Sequence, residues 1–401
     1  MGIVIVLMAA GIIPGWPAGN PSGSAKSCLA AVTVENDTGL LATTFRPGAI
    51  QAFGANDSTV LLAGTGVYLQ PTDFTLPTLD SLSGGPLNSP ATNLTPLIEP
   101  YFHHGGVYGP AWNGTAWLLG GQARLNGTTG PALVAWKDGA FTNLTRLVTP
   151  FFLNRSESVT ADWGIWVVAW NGTAWLLAGT GSRGATLLAL QGDVVTDLTP
   201  RLSHVAHPAP DERIQFLGWN GTTWILSGYQ IFESYSHGTF TNYLPQSSFA
   251  LSGAYGADWN GTAWLVTGGP PSSVAVLQAG VLRPGPNVTA PFAGAWVGAA
   301  VALTPGNWDA RCTGWLIAGV GYLPSGLLRP ALALWLPEYN RTMFDLSASL
   351  PSSFAQGQVE WAGFVPPYSG HTVLLAGQGW YNSTSGTSYG ALGVVRLGVP
   401  V

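Results

Sequence analysis

The residues in this chain with the clearest chemical potential are asparagines. Of its 17 Asn, 13 open an N-x-Ser/Thr sequence with x other than proline: Asn36, Asn56, Asn93, Asn113, Asn126, Asn143, Asn154, Asn171, Asn220, Asn260, Asn287, Asn340 and Asn382. The Ser and Thr content would place about three there by chance. Such sites accept N-linked glycans in a secretory pathway or on an archaeal surface. Four of the 13, Asn113, Asn171, Asn220 and Asn260, are one Asn-Gly-Thr turn repeated, so part of the excess is turn chemistry carried by duplication. The other nine still exceed chance.

The second candidate chemistry is a disulfide between the two cysteines, Cys28 and Cys312. A pair is the smallest number that can bridge, and a bridge agrees with an oxidising compartment. Closing so long a loop contributes about 4 kcal/mol in the chain-entropy view. Two buried free thiols are the alternative.

Catalytic patterns are scarce, and the chain reads as a non-enzyme without cofactor or metal. Gly179 to Gly184 spells G-x-G-x-x-G, but it joins two strands and opens no helix. Adjacent His103 and His104 would point to opposite faces of a strand, and no Cys or carboxylate is placed to complete a metal site. Asp162 and Asp258 each precede a tryptophan, as channel-lining acids or as turn groups. The 18 tryptophans recur at strand positions and read as packing core before they read as sugar platforms.

Charge narrows the function classes further. Only 8% of residues are charged and the net charge is −5, so nothing attracts nucleic acid or an anionic membrane. A surface this poor in ionic groups needs another source of hydration, which covalent glycans would supply.

These residues are positioned by a repeat. Trp170 to Gly179 reads WNGTAWLLAG; close copies occupy Trp112 to Gly121, Trp219 to Gly228 and Trp259 to Gly268, and weaker ones Ala55 to Gly64, Ala310 to Gly319 and Tyr368 to Gly377. Asn-Gly between apolar runs predicts a two-residue hairpin turn with both residues at positive φ. The returning run is apolar throughout, as in a strand covered on both faces. Terminal glycines at 64, 121, 179, 228, 268, 319 and 377 recur every 40 to 58 residues. That spacing, with two further strands after each copy (Ala185 to Gln191 and Val194 to Leu198, for example), predicts an all-β, seven-bladed β-propeller of four-stranded antiparallel blades. Six blades result if the first weak copy is irregular, and eight if Pro71 to Tyr101 forms its own sheet.

Two domains follow: residues 1–27 as an apolar N-terminal arm and Gly/Pro/Ser linker, and 28–401 as one propeller. The last blade supplies only three strands, Val359 to Phe364, His371 to Gly377 and Gly390 to Leu397, so Cys28 to Val34 is expected to close the ring. Ile3, Val4, Ile5, Val6, Leu7, Ile12 and Ile13 are then left without a partner in their own subunit. This run is too short to span a membrane. It reads either as a signal peptide or as a strand donated to a neighbouring copy.

The chain resembles the kelch and galactose-oxidase-like β-propellers over residues 47–397, in blade length, in the double glycines Gly120-Gly121 and Gly268-Gly269, and in the aromatic turns. It is also similar to secreted tandem-propeller proteins whose blades carry a Trp-Asn-Gly hairpin. The resemblance implies architecture and leaves function open. The sequence reading is an extracellular or cell-surface glycoprotein, a structural propeller subunit that self-associates into a filament or layer through its arm. The alternative is a secreted monomer that binds carbohydrate or acts on it.

Overall fold

The computed structural model of the protein describes residues 3–5, 31–41, 45, 48–66, 76–83, 90–125, 128–153, 163–182, 184–202, 212–246, 253–269, 273–293, 295–304, 313–323, 325–337, 342–355, 357–364, 372–379 and 389–398. Its strands form seven antiparallel sheets, each one blade of a propeller. Blade three shows the pattern: Gly164–Trp170 innermost, then Trp175–Gly181, Gly184–Gln191 and Val194–Asp197 outermost. The other six innermost strands are Ala49–Ala55, Gly106–Trp112, Arg213–Trp219, Ala254–Trp259, Trp296–Leu303 and Gln358–Phe364. Each lies against the innermost strands of both neighbouring blades, so the ring closes from blade seven back to blade one. Among the described residues helix is confined to short turns, the longest being Thr145–Phe152.

The apolar returning run of each hairpin is explained by how the blades stack. Alternate side chains of a strand face opposite sides of its sheet. Leu176 and Ala178 accordingly pack toward blade four, while Trp175 and Leu177 pack toward blade two. A strand sandwiched this way has no solvent face, and polar alternation disappears. Seven buried apolar clusters result, one between each pair of adjacent blades. The core is a ring of seven thin layers.

Within the insert, Pro77–Ser83, Thr92–Asn93 and the turn Thr95–Ile98 complete blade one, and the described residues form no eighth sheet. The closing strand is Ala31–Asn36, a few residues later than expected, paired antiparallel with Gly390–Gly398 from Ala31 opposite Gly398 to Asn36 opposite Gly393. Glu35 accepts a 3.0 Å bond from Arg396 Nε across the junction.

Two expectations need correction. The two residues inside the hairpin turn are Gly172 and Thr173 rather than Asn171 and Gly172: the Asn171 N–H bonds the Ala174 carbonyl at 3.2 Å, and Gly172 has φ +96 while Asn171 is absent from the positive-φ residues. The asparagine side chain caps the loop itself and has no need of the left-handed region. The arm, in turn, does find a partner in its own subunit. Ile3–Ile5 pairs antiparallel with the closing strand, Ile3 opposite Val34 and Ile5 opposite Val32, as a fifth strand on blade seven. An outermost strand presents unpaired N–H and C=O groups, and a β-branched segment within reach will add to it.

Candidate functional site

The sequons fall into two structural classes. Asn56, Asn113, Asn171, Asn220 and Asn260 sit at the hairpin tips of blades one to five. At each tip the Asn Oδ1 accepts the backbone N–H two residues on, the N–H three residues on, and the Ser or Thr hydroxyl of the sequon, over 2.7 to 3.3 Å. Beside four of these tips the flanking tryptophans, 112 with 117, 170 with 175, 219 with 224 and 259 with 264, tilt against one another at 4.9 to 5.5 Å. Such pairs add about 0.5–1.5 kcal/mol beyond their buried area. The hairpin ends are thereby stiffened.

Asn36, Asn93, Asn143 and Asn287 belong elsewhere, at the corner where the fourth strand of a blade turns into a short helical stretch. There Oδ1 accepts the N–H two residues on, at 2.8 to 3.1 Å. The hydroxyl that follows turns away to the third strand: Leu79, Leu133 and Leu392 donate their N–H to Thr95, Thr145 and Thr38 at 3.0 to 3.1 Å. The same corner recurs in blades without a sequon. Asp197 caps Thr199 N and Asp345 caps Ser347 N, both at 2.9 Å, while Thr199 and Ser347 clamp Leu187 and Leu332. Asn126, Asn154, Asn340 and Asn382 lie outside the described residues.

Cys28 and Cys312 lie outside the described residues, as do Val6, Leu7, Ile12 and Ile13 of the arm. Ile3, Val4 and Ile5 are brought together with Val34, Thr33 and Val32.

What sequence reading missed is a bulge repeated on the innermost strand of every blade, a ring of seven positions around the propeller axis. Six of the repeat's terminal glycines, Gly64, Gly121, Gly179, Gly228, Gly319 and Gly377, would drive a Cβ into the carbonyl oxygen of Ala49, Gly106, Gly164, Arg213, Trp296 or Gln358, in that order. Each of those carbonyls lies two residues before a β-bulge, and a bulge is present in the innermost strand of all seven blades. A bulge leaves one residue unpaired and re-aims its side chain. The seven bulged residues are Gln51, Tyr108, Trp166, Gln215, Tyr255, Gly298 and Glu360. Each is the second or third residue of its strand, so the ring lies at the end where the chain enters the blades, opposite the hairpin tips. The glycine was the available signal. The bulged position itself varies in residue type and shows no repeat.

Around the ring, Tyr108 stacks on Trp166 at 4.5 Å and the Arg213 guanidinium lies 5.6 Å from the Trp166 ring centre. Gln122 donates 2.8 Å to Tyr108 Oη. Side-chain atoms of Gln51, Gln122, Trp166, Arg213 and Gln215 are closed off from solvent without a partner in the chain, five of 13 such atoms among the described residues. On the opposite side Glu360 is held by Gln358 and Gln378, and burial pushes its carboxyl up to about 7. Packed amides, aromatic rings and a guanidinium suit hydrogen bonding to an uncharged polar partner.

The other candidates are structural. Asp258 accepts from Trp259 N at 2.8 Å and, across to blade six, from Ala302 N at 2.7 Å. Burial raises it to about 6 against those two bonds. It latches two blades, and Asp162 lies outside the described residues. His103 Nδ1 lies 2.7 Å from Oε1 of Glu99, a carboxylate four residues back that sequence spacing had not placed beside it. Gly179 and Gly184 belong to successive strands of blade three. Among the described residues no group of three His, Cys, Asp or Glu could hold a metal, and no helix is long and apolar enough to cross a membrane.

No protein-family model and no curated protein matches the chain. Solved propellers do. Sqt1 of Chaetomium thermophilum, solved bound to the N-terminus of ribosomal protein L10, is similar with a TM-score of 0.50 and 11% identity, over 88% of this chain and 96% of that one. The extracellular domain of a putative one-component system of B. thetaiotaomicron matches with a TM-score of 0.50 and 11% identity, over 87% of this chain and 38% of that one. The β-propeller domain of the Trilobed protease from Pyrococcus furiosus has a TM-score of 0.43 and 9% identity, covering 86% and 93%. At these identities the likeness is one of fold.

Proposed function

We propose that the chain is an extracellular, glycosylated structural protein, a propeller subunit that joins neighbouring copies into a surface filament or layer by exchanging its N-terminal strand. The observation that carries this reading is the fifth strand of blade seven. Ile3–Ile5 occupies the outer edge of Ala31–Asn36, and residues 6–30 join the two. A chain of 25 residues can span at most ~85 Å, enough for the same segment of a neighbouring copy to take the same edge with the same main-chain bonds. Each subunit then gives one strand and accepts one, a heterologous contact that grows without closing unless its rotation happens to complete a ring.

The sequon excess and the 8% charged content support the extracellular, glycosylated half of the reading. Deleting residues 1–14 is expected to convert assemblies into monomers with intact propellers, measured by light scattering and circular dichroism. Assembly that survives the deletion, or a full-length chain that stays monomeric at every concentration, would sink the exchange.

The alternative, a secreted monomer that binds carbohydrate or acts on it, is favoured by one observation, the aromatic and amide ring at the axis. That ring offers hydrogen-bonding groups without a pair of facing carboxylates among the described residues, which favours binding over hydrolysis.

A further inference from the structure

We propose that the polar cluster at the chain-entry end of the axis, shared by blades one to four, binds one neutral saccharide through Gln51, Gln122, Trp166, Arg213 and Gln215. The inference rests on the second reading above, to which it gives a site and a ligand. A subunit joined to its neighbours can carry the same site.

Contacts between successive blades draw these groups together. Gln122, which follows the terminal glycine of blade two, donates 2.8 Å to Tyr108 Oη, and the Tyr108 ring stacks on Trp166 of blade three with 22° between the planes. The Arg213 guanidinium of blade four lies over the same indole. Gln215 is the bulged residue of that strand, and Gln51 holds the matching bulge of blade one, next to the blade of Tyr108. Burial pushes the Tyr255 hydroxyl up and the Arg213 charge opposes the shift, so the guanidinium is felt in blade five as well.

Each of the five residues has one polar atom closed off from solvent and unpartnered among the described residues: Oε1 of Gln51, Gln122 and Gln215, Nε1 of Trp166 and Nε of Arg213. Buried polar atoms are nearly always paired. The five side chains are themselves half-buried, so each still reaches the surface. The last torsion of a glutamine is soft, and turning it brings an unmet oxygen round to a ligand.

The set of groups selects the ligand. A cation is repelled by the guanidinium, and an anion would satisfy Arg213 while leaving three amide oxygens facing lone pairs. A hydroxyl donates and accepts at once, so it meets carbonyl, indole N–H and guanidinium alike, and an amide turned to present its N–H is met equally well. Tyr108 and Arg213 already pack on the Trp166 ring, so Trp166 contributes its N–H rather than a stacking face. A saccharide ring carries several hydroxyls at the spacing such a cluster needs.

The test is a titration of the full chain with glucose, galactose, mannose and N-acetylglucosamine, followed by saturation-transfer NMR, with glucuronate and glucosamine as charged counterparts. At least one neutral sugar is expected to bind, and its charged counterparts to bind more weakly. Gln51→Met and Gln215→Met are each expected to weaken it about tenfold by removing an acceptor at constant length, as is Trp166→Phe by removing the N–H. Should Trp166→Phe fail to fold, the two glutamine variants carry the test. Binding that survives all the variants would overturn the site while leaving the second reading standing, and binding of the charged sugars alone would overturn the ligand class. No binding of any of the six would reject the inference and remove the observation that favours the second reading.

Discussion

Glu360 shows how one residue at the axis sets a property of the whole chain. Burial holds its proton up to about pH 7, against an ordinary value of 4.5, with the bonds from Gln358 and Gln378 opposing. Between those values the folded chain keeps a proton that the unfolded chain has released. The stability this contributes is fully present below pH 4.5, falls as pH rises through the window, and is gone above about 7. The ceiling is on the order of 3 kcal/mol. Glu360→Gln is expected to remove that slope and to raise the unfolding midpoint at pH 8, measured by chemical denaturation across the range. Asp258, raised in the same direction to about 6, leaves a smaller residual slope in the variant. An unchanged pH profile in Glu360→Gln would show that the carboxyl is solvated.

At the scale of the strand, the informative partnership is between a glycine and a bulge. The carbonyl of Gly164 occupies the place a Cβ on Gly179 would take, so Gly179→Ala must either straighten the bulge or distort the second strand. The expected cost is about 2 kcal/mol or more. The tryptophan fluorescence of Trp166, the bulged residue, should change with it; a variant as stable as the parent would mean the bulge is not held by that contact. The hairpins were legible in the sequence because Trp-Asn-Gly-Thr repeats by type, and so was the two-faced burial of runs such as Leu176-Leu177. Tip geometry was not, because Asn171 Oδ1 closes the loop through three bonds that a turn rule based on φ does not count. The ring was hidden for another reason. Gln51, Tyr108, Trp166 and Glu360 share a place in the fold and no chemistry, so only the glycine opposite them could have marked the site.

At the scale of the molecule, stability is divided among seven interblade layers, and two of them combine residues from early and late in the chain. Val32 and Val34 join Val373, Val395 and Leu397 in the layer between blades six and seven. A chain lacking residues 1–37 is expected to leave this layer open and to lose its single cooperative transition in calorimetry. A transition matching that of the full chain would show that three strands suffice for the last blade.

The pairing of Ala31 with Gly398 also fixes an order of events. Ala31–Asn36 leaves the ribosome ahead of blades one to six, and its partner Gly390–Gly398 only after them. Blades one to six can fold as they emerge, each against its predecessor, while this strand waits. Contacts between segments so distant in sequence are slow to form. Closure therefore waits until Gly390–Gly398 has emerged, and until then an unpaired strand and an open sheet coexist on one nascent molecule. Two such molecules emerging side by side offer each other the same surfaces they offer themselves. In the strand exchange proposed above, crowding at this stage decides between a closed bead and a linked one.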